Sequence, residues 1–243
     1  MNPMARIVEA VIKESAPGGR SYDYLQRQAD WEGQMRTAFA EMVASNDLEL
    51  AEERLRYLNG KYMTRYPLEH IPLTAGCIWN ELRSRRWDVE KPPYLFGCSE
   101  EQKGKLSGLV PVILAAIAKA DAPRPYSLTT KYLHFCFPES FPICDNQAAE
   151  SIQMWGYMAF DHRGEEWQQF SWSRLVDTSG SGYRGVLEFY RRFWQAASDE
   201  QRSQLTEHAR HLSDVVGGNV STLDLIDKLL WMASGDPLPL GLA

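Results

Sequence analysis

Residues 129–152 read TTKYLHFCFPESFPICDNQAAESI, and the fold turns on this stretch. Ser127 is a candidate cap for a short helix, LTTKYLHFCF, in which Tyr132, Leu133, Phe135 and Phe137 supply an apolar anchor. Pro138 stops that helix, because proline has no N–H to donate and its ring crowds the preceding turn. The link PESFPIC is short and extended, and Asp145 then stands where an N-cap belongs, ahead of NQAAESIQMW. Two helix starts joined by so short a turn direct Lys131 and Asp145 into the same space. Taken singly, each has an ordinary explanation: an aspartate at a helix start is a cap, and a lone lysine is a solvated charge. Lys131 near a helix N-terminus, however, faces the positive end of the dipole. With partial burial, that placement favours a neutral amine nucleophile.

Helical patterning continues on both sides. From about Tyr22 to Ala44, apolar residues recur at three- and four-residue spacing (Leu25, Trp31, Met35, Phe39, Met42, Val43). Asn46 or Asp47 can cap LELAEERLRYL, which Gly60 would end, and a third helix is expected over about 74–87. EKPPYLFGCSEEQKGKLSG, with two prolines and three glycines, reads as a connector. Ser107 would then cap LVPVILAAIAKA, with Pro111 in its first turn, and this nearly all-apolar segment is expected to be the central buried helix. From Gly156 to Gly185 the pattern weakens into a long, polar, glycine-spotted connection. GVLEFYRRFWQAA follows. Next comes a helix opened by the capping-box pair Ser198 and Gln201 and closed at Gly217-Gly218. Ser221 and Asp224 open the last helix, with Gly235 and Pro237 expected to stop it. No repeat, low-complexity tract or alternating strand pattern is present. The fold class is all-α and multi-helix.

The formal charge of −6 is not the basic excess of a chain held to nucleic acid by bulk electrostatics. A local basic groove could still draw on Arg83, Arg85, Arg86, Arg191 and Arg192, whose bland reading is solvated helix faces. The spacing of Cys77, Cys98, Cys136 and Cys144 matches neither zinc nor iron–sulfur ligation. His134, Cys136 and Cys144 could in principle meet a metal, but buried free thiols are the simpler expectation, and no metal or cofactor is assigned. No apolar run reaches about 18 residues, so no membrane helix is expected. The segment MNPMARIVEAVIKES is amphipathic and has no signal-peptide core, which points to a reducing cytoplasm.

Lys131, the apolar run YLHFCF and FPICD with Asp145 resemble the catalytic region of the helix-hairpin-helix DNA glycosylases, most closely the 8-oxoguanine DNA glycosylase-like branch. The likeness covers about 25 residues. It departs in two places: RPYSLTT replaces the family's Gly-rich hairpin, and the lysine–aspartate interval is shorter than usual. The resemblance implies helical lobes flanking a cleft, divided at about 1–104 and 105–243, within a single helical domain. It implies double-stranded DNA carrying a modified base as partner, and a glycosylase with AP lyase activity that works without a cofactor. Lys131 would be the Schiff-base nucleophile and Asp145 the stabilising carboxylate. Phe135, Trp155 or Tyr157 could sandwich the flipped base, and His134, three positions after Lys131, could assist proton transfer, although core packing also accounts for them. Two alternatives stay open. One is a non-catalytic helical module that binds nucleic acid or protein; the other is an unrelated helical enzyme with its pocket in the 156–185 connection.

Overall fold

The computed structural model describes residues 3–45, 47–87, 90–159 and 165–232. Among these residues the chain is all-α, with eleven α-helices, three short 3-10 turns and no strand. Helix α1 (Pro3–Ser15) buries Met4, Ile7, Val8 and Val11. It packs against α9 (Tyr183–Ala196), α10 (Asp199–Val216) and α11 (Thr222–Met232), so the first helix is part of the same packed body as the last three. Helix α2 (Tyr22–Ser45) lies on α10 and on α6 (Tyr126–Cys136). The side chains of Trp31, Met42 and Val43, named above for this helix, lie outside the described residues, as does Asn46.

Helix α3 (Leu48–Lys61) is capped by Asp47, whose carboxylate accepts from the amides of Glu49 (2.9 Å) and Leu50 (3.3 Å). It runs one residue past Gly60, and Tyr62 is the C-cap. The loop beyond is wound around Asn59. The Asn59 side chain donates to the Tyr66 carbonyl at 2.8 Å and accepts from the Tyr66 amide at 3.0 Å and from the Thr64 hydroxyl. Met63 and Arg65 flank Thr64 in this loop, both with positive φ.

Two expectations are corrected in the middle of the chain. Helix α5 (Glu100–Lys119) begins well before Ser107, at a capping box formed by Ser99 and Gln102. Much of the presumed connector is therefore helical. Ser107 Oγ does not cap; it turns back to the Gly104 carbonyl at 3.2 Å, and Pro111 lies inside the helix. Nor is α5 the central helix, since Val112 is exposed. That place belongs to α6, where every residue but Ser127 is buried against α2, α3 and α5. Helix α4 (Ile71–Ser84) packs against α3 and α5.

Helix α7 (Asn146–Ala159) continues beyond Gly156, and the expected irregular connection contains a 3-10 turn at Glu165–Phe170 and the short α8 (Trp172–Leu175). Residues 160–164 of that segment, and Gly235 and Pro237, lie outside the described residues. Toward the C-terminus the caps fall as read. Ser198 and Gln201 form a reciprocal box, Gly217 is left-handed at φ 64°, and Asp224 Oδ2 accepts from the Ser221 amide at 2.9 Å. None of the described helices is long and apolar enough to cross a membrane.

Candidate functional site

Lys131 lies in the second turn of α6, and Asp145 immediately precedes α7. What sets their separation is Thr130. Its hydroxyl donates to the Cys144 carbonyl at 3.0 Å and accepts from the Cys144 amide at 3.1 Å, so α6 and the residue before Asp145 are clasped through one side chain. The neighbours of the clasp then meet. Lys131 Nζ is 2.7 Å from Asp145 Oδ2 and donates to Ser127 Oγ at 2.9 Å. Ser127 thus serves the lysine and not the helix: α6 starts at Tyr126, and Pro125 occupies the cap position without a side-chain bond. Asp145 Oδ1 accepts from the Ala148 amide at 3.0 Å, the bond of an N-cap residue. Asp145 is therefore both a cap and the partner of Lys131, one oxygen for each task.

The two groups differ in access. Lys131 is 4% exposed, whereas the Asp145 side chain retains 19% of its surface. Burial alone would push the Asp145 carboxyl up. The Lys131 charge beside it, the Ala148 amide, the Lys131 hydrogen bond and the more distant Lys228 charge together hold it below the usual carboxylate range. Asp145 is consequently a carboxylate at neutral pH, with one edge facing outward over a covered amine.

Residues remote in sequence complete the surroundings. The Lys131 ammonium lies 5.1 Å from the centre of the Tyr62 ring. The Tyr62 hydroxyl donates to Glu32 Oε1 at 3.2 Å, and Glu32, itself buried, pairs with Lys228 Nζ at 2.5 Å. Charges from α2, α6 and α11 and the carboxylate before α7 thus gather around the end of α3. Sequence reasoning did not single out Glu32, Tyr62 or Lys228. One signal for Glu32 was present: it stands on the stripe of Leu25, Met35 and Phe39, where a carboxylate has to find a buried partner.

His134 takes part in a separate buried network. Its Nδ1 is 2.8 Å from the Phe141 carbonyl and its Nε2 is 2.7 Å from Asp224 Oδ1. Asp227, one turn further along α11, accepts from the Tyr190 hydroxyl. Burial pushes the Asp227 carboxyl up to about 6, with Asp224 adding to the effect and His134, Lys228 and the Tyr190 bond opposing it. The His134 ring is held between the Phe141 carbonyl and Asp224 on α11, not by Lys131 or Asp145.

Phe135 and Trp155 are fully buried. Phe135 packs on Phe39 and Tyr62, with ring centres 5.6 and 6.1 Å apart. Tyr157 is 51% exposed near the end of α7. Cys136 and Cys144 are buried free thiols, and burial pushes Cys144 up to about 12. Among the described residues no group of His, Cys, Asp and Glu is arranged to hold a metal ion. Several of the arginines considered for a basic groove are engaged with acids. Arg86 pairs with Glu90 (3.0 Å), Arg191 with Glu100 (2.7 Å) and Arg192 with Glu188 (2.9 Å). Arg85 lies over the Trp87 ring, 5.5 Å from its centre. A surface groove of about 400 Å³ is lined by Asp23, Gln26, Arg27, Asp30, Val215 and Val216, none of which belongs to the Lys131–Asp145 group.

No family model, no curated protein and no solved structure matches this chain.

Proposed function

We propose that the protein is a DNA base-excision enzyme in which Lys131 is the nucleophile and Asp145 the stabilising carboxylate, within a helical, glycosylase-like framework. One observation carries the reading: a nearly buried amine held 2.7 Å from a partly exposed carboxylate that stays ionised. A buried lysine–aspartate pair is a weak source of net stability, since desolvation offsets the attraction. Its position at two helix starts suits a reaction in which charge is rearranged.

In this reading a modified nucleotide is turned out of the duplex, at a cost of a few kcal/mol in lost stacking. The Asp145 carboxylate balances the positive charge that develops at the sugar C1′ as the bond to the base weakens. Lys131, after passing a proton to solvent by way of the partly exposed Asp145, attacks C1′. The C1′–N bond breaks, its electron pair leaves with the base, and the base takes up a proton. Loss of a second amine proton and cleavage of C1′–O4′, with O4′ protonated, leaves an iminium between Lys131 and the opened sugar. Proton removal from C2′ would then permit strand scission by β-elimination.

A second reading is favoured by the low exposure of Lys131: a non-catalytic helical module in which the pair only ties α6 to α7. Borohydride trapping separates the two. Duplexes carrying 8-oxoguanine, uracil or an abasic site are incubated with the protein and reduced. The enzyme reading expects a covalent protein–DNA adduct that Lys131→Ala eliminates and Asp145→Asn diminishes. No adduct with any of these duplexes, or one that survives Lys131→Ala, overturns it.

A further inference from the structure

We infer that Tyr62, pinned by Glu32 and through it by Lys228, is a positioning residue for the Lys131 amine; this rests on the reaction proposed above. Asp145 and Ser127 fix Nζ from two directions, at 2.7 and 2.9 Å. The Tyr62 ring is a third neighbour, with Nζ over its face at 5.1 Å from the centre. A ring face attracts a cation and repels an anion, so it holds an ammonium or an iminium without competing for protons as a carboxylate would. The ring is itself tightly placed. Its backbone closes α3 as the C-cap, its ring lies tilted against Phe135, and its hydroxyl donates to Glu32. A buried glutamate at that point needs a cation, and Lys228 supplies it from α11.

The arrangement suits the proposed chemistry specifically. During attack Lys131 loses its charge, and with it much of its attraction to Asp145. A neutral amine held only by Ser127 could swing away from C1′, and an ångström of misplacement costs on the order of a hundredfold in rate. Tyr62 walls off that motion by contact, and its π face then receives the cationic iminium. A tie reaching to α11 also keeps the ring from following the amine.

The test has one arm with DNA and one without. In the protein alone, with lysine side chains isotopically labelled, the Lys131 ε-methylene protons should resonate upfield of those of other lysines because of the ring current. That displacement should vanish in Tyr62→Leu and shrink to a similar extent in Tyr62→Phe and Glu32→Ala, each of which removes one partner of the hydroxyl's hydrogen bond. In single-turnover borohydride trapping, Tyr62→Leu should slow adduct formation at least tenfold while duplex affinity stays within twofold. Tyr62→Phe, which keeps the ring but loses the tie, should fall between Tyr62→Leu and the parent. If Tyr62→Phe and Glu32→Ala both leave the methylene shift unchanged, the pinning is overturned. If Tyr62→Leu traps as fast as the parent, or loses duplex affinity in proportion to rate, the positioning role is overturned. If the parent protein forms no adduct, base excision fails and Tyr62 has no amine to position for it; the methylene shifts then decide only whether the ring is held as described.

Discussion

Asp227→Asn should stabilise the protein at neutral pH while costing nothing in acid. Asp227 is buried on α11, and its carboxyl is pushed from an ordinary 3.8 up to about 6. A carboxyl whose folded value is raised binds its proton more tightly in the folded state. Its contribution is therefore fully present below about pH 3.8 and is lost as pH rises through about 6. Two units of displacement correspond to roughly 3 kcal/mol at about 1.4 kcal/mol per unit. Asparagine keeps an oxygen for the Tyr190 hydroxyl and never ionises. Urea unfolding of parent and variant at pH 4, 5, 6 and 7.5 should show a difference near zero at pH 4. The difference should grow across pH 4–6 and level off at about 1–3 kcal/mol in favour of the variant, the lower figure allowing for the nearby His134 and Lys228. For a chain of this size that is about 2–12 °C in Tm. A variant less stable than the parent at pH 7.5, or a difference flat across the series, would refute the reasoning. It would mean that His134 and Lys228 stabilise the Asp227 charge by more than burial opposes it.

Other consequences can be checked in the same way. Lys131→Met should destabilise by about 2–3 kcal/mol, below the ~3–5 typical of breaking a fully buried pair, because Asp145 keeps solvent contact and its Ala148 bond. Adding Asp145→Asn should recover part of that loss in a double-mutant cycle. Gly182→Ala should cost more than about 3 kcal/mol by thermal unfolding, since a Cβ there would stand 1.7 Å from the Arg174 carbonyl oxygen, a backbone atom with nowhere to go. Ser99→Ala should lose about 1 kcal/mol, whereas Ser107→Ala should change stability by less than about 0.5, which distinguishes the true start of α5 from the one the apolar run suggested.

How much of this was legible in the sequence depended on how local the determining contacts are. The caps at Asp47, Ser198 and Gly217 and the opening of α11 at Ser221 and Asp224 are decided within a turn, and they could be read directly. The start of α5 was missed because Gly104 and Gly108 look like breakers. Both are helical, and their helical neighbours outweigh a propensity cost of about 1 kcal/mol each. The identity of the central helix was misjudged for a related reason. α5 is the more apolar segment, but α6 is enclosed on several sides, and two of its polar residues find partners inside, Thr130 in Cys144 and Lys131 in Asp145. The meeting of Lys131 and Asp145 was foreseeable from two helix starts separated by a short link. Glu32, Tyr62 and Lys228 were not, because they reach the same place from α2, α3 and α11, and only tertiary packing brings them together.

The pairing of Arg86, Arg191 and Arg192 with glutamates bears on how the protein would meet a polyanion. A guanidinium already matched to a carboxylate displaces few counterions from a duplex, because its own acid travels with it. If the base-excision proposal holds, log K for DNA on this chain of formal charge −6 should fall less steeply with log salt than for a protein whose free basic side chains meet six to ten phosphates. Encounter would gain little from long-range attraction. In that proposal, recognition rests more on what happens after contact, in the extrusion and holding of a nucleotide, than on ionic attraction at a distance.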